Sequence, residues 1–86
     1  MILVTGGTGL VGAHILFDLC SKNLQVRAIK RANSSLYLIE SLFSFYAPET
    51  FLKLLDNIDW VEADLREIDS LIEATTNIDI VYHAAA

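Results

Sequence analysis

All four glycines of this chain fall at positions 6, 7, 9 and 12. Glycine is needed where a backbone must turn left-handed or be approached closely, so a tight turn is expected there. Before it runs the short apolar stretch Ile2-Leu3-Val4-Thr5, which suits a strand buried on both faces of a parallel sheet. After it, Leu10, Val11, Ile15, Leu16, Leu19 and Cys20 recur at helical spacing as far as Lys22-Asn23, where Asn23 is the expected stop. Strand, glycine turn and helix in this order restrict the chain to folds built from parallel strands and crossover helices.

The remaining sequence continues the alternation. Residues 25–30, QVRAIK, resume an extended pattern and predict a second strand. From Ser34 or Ser35 as N-cap, Leu36, Ile39, Leu42, Phe43 and Tyr46 follow helical spacing until Pro48 ends it. A short helical patch is expected over Thr50–Asp56. A third strand then centres on Trp60 and Val61 within IDWVEADL. Ser70 and Glu73 have capping-box spacing at the start of a last helix with Leu71, Ile72 and Ala74. IDIVYHAAA, from Ile78, is the fourth strand. The predicted order β-α-β-α-β-α-β is an α/β fold with helices on both faces of a parallel sheet, joined by right-handed crossovers. Such a sheet is the N-terminal half of a doubly wound, Rossmann-type domain. The chain is therefore read as a fragment of a longer protein, residues 1–86 being part of such a domain. Its fourth strand is expected to have one bare edge, a route to self-association.

Composition removes several function classes. Apolar residues make up 53% of the chain, yet charged residues interrupt every apolar stretch well short of the ~18 residues a membrane span needs. Six basic residues against eleven acidic ones give a net charge of −5, and the cations are scattered apart from Lys30-Arg31, so no nucleic-acid surface is expected. The lone Cys20, at an apolar helical position, allows neither a disulfide framework nor a metal-ligand cluster and reads as a buried, inert thiol. No secretory signal is visible, and a cytoplasmic protein is expected. The aromatic stretch from Leu36 to Phe51 is read as a core-facing stripe with a small exposed apolar patch.

The glycine turn admits three frames. Gly7 and Gly12 spell the front of a triphosphate loop, but that loop requires Lys then Ser or Thr next, and Ala13-His14 stand there instead. Gly7-Gly9-Gly12 and Gly6-Gly9-Gly12 both describe a dinucleotide turn. Its glycines let the backbone approach a pyrophosphate, and the helix N-terminus directs free N–H groups at the anion. At the end of the second strand a carboxylate would accept the ribose 2′-hydroxyl, whereas Arg suits a 2′-phosphate. This chain has Lys30-Arg31 there, which favours NADP over NAD.

Thr5-Gly6-Gly7-Thr8-Gly9-Leu10-Val11-Gly12 resembles the T-G-x-x-G-x-x-G fingerprint of extended short-chain dehydrogenases/reductases, which include nucleotide-sugar epimerases, dehydratases and dihydroflavonol-type reductases. Asp64-Leu65 resembles that family's acidic-apolar pair at the adenine ring, and Val81-Tyr82-His83-Ala84-Ala85 its fourth-strand H-x-A-A motif. Together these select the frame that starts at Gly6. The resemblance implies that Gly6, Thr8, Gly9, Leu10, Val11 and Gly12 hold pyrophosphate. It further places Lys30 and Arg31 at the adenosine ribose or its phosphate, Asp64 and Leu65 at adenine, and Ala84 and Ala85 at the second ribose. His83 is structural in that family. For His14 a solvated or helix-packing place is expected, and Ala84–Ala86 can also be read as a tight helix contact.

The same family uses Tyr-x-x-x-Lys, in which Lys lowers the tyrosine pKa for proton exchange during hydride transfer. Four residues after Tyr37, Tyr46 and Tyr82 stand Ser41, Thr50 and Ala86, so the chain carries no such pair. The resemblance thus implies that 1–86 is a partial NAD(P)-binding domain without catalytic and substrate-binding regions, and that the whole protein is an NAD(P)-dependent enzyme acting on a sugar-nucleotide or another alcohol or carbonyl compound. The alternative is a non-catalytic NAD(P)-binding sensor, with a vestigial structural domain as a third reading.

Overall fold

The computed structural model describes residues 1–64 and 66–84; Leu65, Ala85 and Ala86 lie outside the described residues. Its elements are β1 (Ile2–Thr5), α1 (Leu10–Ser21), β2 (Val26–Lys30), α2 (Tyr37–Tyr46), α3 (Phe51–Leu55), β3 (Ile58–Glu62), α4 (Ile68–Thr75) and β4 (Ile80–His83). The strands form one parallel sheet in the order β3-β2-β1-β4. The chain builds outward from β1 to β3 and then returns to place β4 on the other side of β1. Ligands of open α/β sheets bind at such a reversal, beyond the carboxyl ends of the strands.

Strand alternation sorts the apolar residues onto two faces. Val4, Val26, Ala28 and Ile58 face α1 and α2, where Ala13, Leu16, Leu19, Cys20, Ile39, Leu42 and Phe43 complete the larger core. Leu3, Ile29 and Ala63 face the other way and pack with Ala74 of α4. Arg27, on that second face, ties the end of α4 down: Nη1 donates to the carbonyls of Ala74 and Thr76 at 2.9 Å, and Nε donates to Asp59 Oδ2 at 3.0 Å. β4 pairs only with β1 among the described residues, which leaves its outer edge bare and Ile80, Val81 and Tyr82 exposed.

Local signals act where the sequence placed them, with shifts at helix starts. α1 ends in a Schellman motif: Asn23 has φ 59°, its N–H donates to Cys20 O, and the Leu24 N–H donates to Leu19 O. α2 ends at Tyr46 because Ala47, which precedes Pro48, is held out of the helical region at φ −139° and ψ 67°. Its N-cap is Leu36 rather than Ser34 or Ser35; the Ser35 hydroxyl instead accepts the Tyr37 N–H at 3.1 Å. α4 begins at Ile68, two residues before the expected capping box. Ser70 is drawn inside the helix because its hydroxyl bonds back to the β3–α4 loop, and Glu73 lies mid-helix. β3 stops at Glu62 and β4 at His83, both shorter than the extended runs in the sequence. Of the aromatic stripe, Ile39 and Phe43 are buried, while Tyr46 and Phe45 lie on the surface and touch edge-to-face at 5.2 Å.

Candidate functional site

The glycine turn follows directly from the end of β1. Gly6 has φ 71°, a left-handed conformation that disfavours any side chain, and its carbonyl accepts the Gly9 N–H at 3.1 Å. A Cβ on Gly12 would lie 2.6 Å from Gly6 C and 2.8 Å from Gly7 Cα, and closer still to the Gly6 carbonyl oxygen. The close approach that Gly12 permits is thus between α1 and the turn itself. Gly7 instead packs into the core beneath the turn, where its Cβ would meet Leu16 Cδ1 at 2.8 Å. Gly9 is open, with its nearest atom at 3.5 Å. Positive φ at Gly6 supports the frame that starts at Gly6, while the approach at Gly12 is common to both dinucleotide frames.

Gly9 is the N-cap of α1 and has no side chain to bind the first-turn N–H groups, and no acidic residue stands in that turn. The N–H groups of Leu10, Val11 and Gly12 make no backbone hydrogen bond outside the helix among the described residues. A helix start of this kind, with free donors and the positive end of the macrodipole, suits an anion. These features fit a pyrophosphate.

Two adjoining clefts open beside the turn. The first, about 320 Å³, is lined by Gly6, Thr8, Ile29, Lys30, Arg31, Ser34 and Ala63. The second, about 510 Å³, is lined by Arg31, Ala32, Asn33, Glu62, Ala63, Asp64, Arg66, Glu67 and Ser70. Arg31 and Ala63 belong to both. The two cations of the second strand end differ. Lys30 lies opposite Glu62 in the parallel register, with Nζ 4.0 Å from Glu62 Oε1. Arg31 has left the sheet, is exposed, and has no ion-pair partner among the described residues. A guanidinium free to form a bidentate contact is the better group for a phosphate.

At the far end of the second cleft, Asp64 is held by Arg66. The Arg66 main-chain N–H and Nε donate to Oδ1 at 2.9 and 3.0 Å, and Nη2 donates to Oδ2 at 2.7 Å. The Arg66 side-chain hydrogen bonds, followed by its backbone N–H, hold the Asp64 carboxyl well below the usual carboxylate range. Sequence reasoning misses Arg66, Ser70, Glu62 and Asn33 as site residues. The i, i+2 spacing of Asp64 and Arg66, which suits an Asx turn, is the available signal.

On the other side of β1, Thr5 Oγ1 and His83 Nδ1 are hydrogen-bonded at 2.6 Å, and the Ala84 N–H donates to Thr5 O at 3.1 Å. These bonds fasten the end of β4 to the end of β1 and use His83 as a structural group. Ala84 is half-buried there and lines neither cleft. Leu65 and Ala85 lie outside the described residues. The structure therefore gathers Gly6, Thr8, Lys30 and Arg31 around one cleft and Arg31 with Asp64 around the next. Gly9, Leu10, Val11 and Gly12 start the helix beside them. His14 turns back to its own helix, with Nδ1 2.9 Å from Leu10 O and its ring edge-on to Tyr46. Cys20 is fully buried, and burial pushes its thiol up to about 11, so it is inert as a nucleophile. Among the described residues no group of His, Cys, Asp and Glu side chains could hold a metal ion, and no helix is long and apolar enough to cross a membrane.

Comparison with known proteins agrees with this fold. The chain belongs to the NAD dependent epimerase/dehydratase family, whose family model matches residues 2–86. A Synechocystis protein named dihydroflavonol 4-reductase is 36% identical over 83 residues, which are 96% of this chain and 20% of that protein. Among solved structures, an isoflavone reductase superposes with TM-score 0.72 at 25% identity over 99% of this chain and 26% of its own. A structure of AtPrR2 with NADP+ and (+)pinoresinol superposes with TM-score 0.70 at 22% identity, over 99% of this chain and 25% of its own, and shares the fold. The chain thus spans about a fifth to a quarter of the length of these relatives. The fold is the Rossmann-type α/β sheet of reductases in the extended short-chain family, and a nicotinamide dinucleotide is the cofactor class of such a domain.

Proposed function

On the premise of that membership, we propose that residues 1–86 are the dinucleotide-binding part of an NADP-preferring carbonyl or alcohol oxidoreductase, whose catalytic and substrate-binding groups lie outside these residues. The observation that carries the reading is the pairing of an uncapped helix start at Gly9–Gly12 with an Arg31 that has no ion-pair partner among the described residues, at the adjoining cleft. In this reading Gly6, Thr8, Gly9, Leu10, Val11 and Gly12 hold the pyrophosphate through main-chain N–H groups. Arg31, with Lys30 beside it, takes the 2′-phosphate of the adenosine ribose. Asp64 and Leu65 meet adenine, and Ala84 and Ala85 leave room for the second ribose. When bound, the nicotinamide supplies or accepts a hydride; this chain's own residues bind and orient it.

The names of the relatives, dihydroflavonol 4-reductase and isoflavone reductase, support reduction of a carbonyl compound over sugar-nucleotide epimerisation. The structure of a relative in fold with NADP+ supports the same cofactor class. Calorimetric titration of the chain with NADP+ and NAD+ tests the reading. The expected result is tighter binding of NADP+, with Arg31→Ala weakening NADP+ by about tenfold or more and NAD+ by less than about threefold. Failure of both dinucleotides to bind at millimolar concentration would sink the reading.

A further inference from the structure

We infer that Trp60 is a positioning residue for the dinucleotide: its indole is the rigid part of the floor on which the glycine turn rests, and it sets where the turn presents its N–H groups. The inference rests on the proposed dinucleotide site. Gly7 reveals the floor. Its φ is not left-handed, so space rather than backbone conformation calls for glycine there. A Cβ at Gly7 would meet Leu16 Cδ1 at 2.8 Å, Ala28 Cβ at 3.4 Å and Trp60 Cη2 at 3.5 Å. The turn therefore lies directly on side chains from α1, β2 and β3.

Strand register explains how β3 reaches it. In the order β3-β2-β1-β4, β2 stands between Trp60 and the turn at the end of β1. Trp60 is paired with Ala28, and both pack on the face covered by α1 and α2. Ala28, fully buried, offers a single methyl, so the indole from the next strand crosses it to lie under Gly7. The three floor residues are not equivalent. Leu16 is carried by α1 and moves with the turn, and Ala28 is short. Trp60 is a planar ring with two side-chain torsions, anchored in the sheet, and so fixes the height of the turn above it. Gly9, whose N–H donates to Gly6 O at 3.1 Å, caps α1, so a displaced turn displaces the helix start with it.

The test uses Trp60→Phe, whose ring stops short of the Cη2 position, and Trp60→Leu, which has no ring. Both are titrated with NADP+ and NAD+ by calorimetry well below their thermal midpoints, and amide exchange is followed by NMR. The pyrophosphate is common to the two dinucleotides, so Trp60→Phe is expected to weaken both by about fivefold with their ratio unchanged, and Trp60→Leu by about tenfold or more. The Gly9 amide is expected to exchange about tenfold faster. The amides of Asn23 and Leu24, bonded to Cys20 O and Leu19 O at the far end of α1, keep their wild-type protection. A residue that only filled the core would lower the midpoint and leave the affinity of the folded chain unmoved. Unmoved affinity, a loss confined to NADP+, or exchange raised equally at both ends of α1 overturns the inference while leaving the site reading intact. Should Trp60→Leu fail to fold, Trp60→Phe decides by the same measurements. Absence of binding of either dinucleotide to the wild type overturns the site reading and this inference with it.

Discussion

Replacing Gly12 with Ala puts the close packing of the glycine turn to a quantitative test. The added Cβ falls 2.6 Å from Gly6 C and 2.8 Å from Gly7 Cα, where side-chain carbons essentially never approach backbone. Both neighbours are main chain in a turn whose Gly6 is held at φ 71°, so no rotamer change relieves the clash. The start of α1 must withdraw, straining the bond from Gly9 N–H to Gly6 O and lifting the buried Ala13 and Leu16 from the sheet. Overpacking costs roughly 1 to 3 kcal/mol and more where nothing can yield. Against it stands the gain of about 1 kcal/mol for alanine over glycine inside a helix. The net expectation is a loss of about 2 kcal/mol or more, which in a domain of this size lowers the thermal midpoint by roughly 10 °C. Gly9→Ala is the matched control: its nearest atom is at 3.5 Å and its φ is −87°, so a change below about 1 kcal/mol is expected. Urea titration followed through Trp60 fluorescence reads both. Stability of Gly12→Ala within about 0.5 kcal/mol of wild type, or equal damage from Gly9→Ala, would refute the reasoning.

Arg27→Met keeps the apolar stem but removes the donors to Ala74 O, Thr76 O and Asp59; a loss of about 2 kcal/mol is expected, with amide exchange accelerating in α4 before α1. Unchanged exchange in α4 would show that the staple is idle. Because the folded-state carboxyl of Asp64 titrates below its unfolded value, its contribution to stability is present above about pH 4 and is lost as pH falls further. The difference in urea midpoint between wild type and Arg66→Ala should therefore shrink on acidification, and a difference that grows contradicts the sign. Asp79, lowered in the same direction by the N-terminal amine, is common to both proteins and cancels. The bare edge of β4 and its exposed Ile80, Val81 and Tyr82 are expected to drive self-association of the isolated chain, which Val81→Lys should suppress in sedimentation velocity. A monomer at millimolar concentration is incompatible with that proposal.

The existence of the strands and the position of the turn were legible because both are local. Ile2–Thr5 and Val26–Lys30 are apolar runs between turn residues, and the glycines cluster where the backbone bends. The sheet order was not legible in the same way, since nothing within Ile80–His83 says that it lies beside β1 rather than β3. Helix starts slipped for a related reason. Ser70 looks like a cap when only its own neighbours are considered, but its hydroxyl is claimed by Asp64, six residues upstream, once the loop closes. The same distinction separates Lys30 from Arg31, which read as one cationic pair. The parallel register sets Lys30 opposite Glu62, and that partner becomes visible only when β2 and β3 are aligned. Arg31 lies one residue past the strand, where the ladder imposes no cross-strand neighbour, and its charge stays available to both clefts. A charge inside a strand is spoken for by register; a charge just beyond the strand's carboxyl end is free to meet a ligand. That is why the proposed preference for a 2′-phosphate rests on Arg31, and why exchanging Lys30 for Met is expected to alter cofactor choice far less than exchanging Arg31 for Ala.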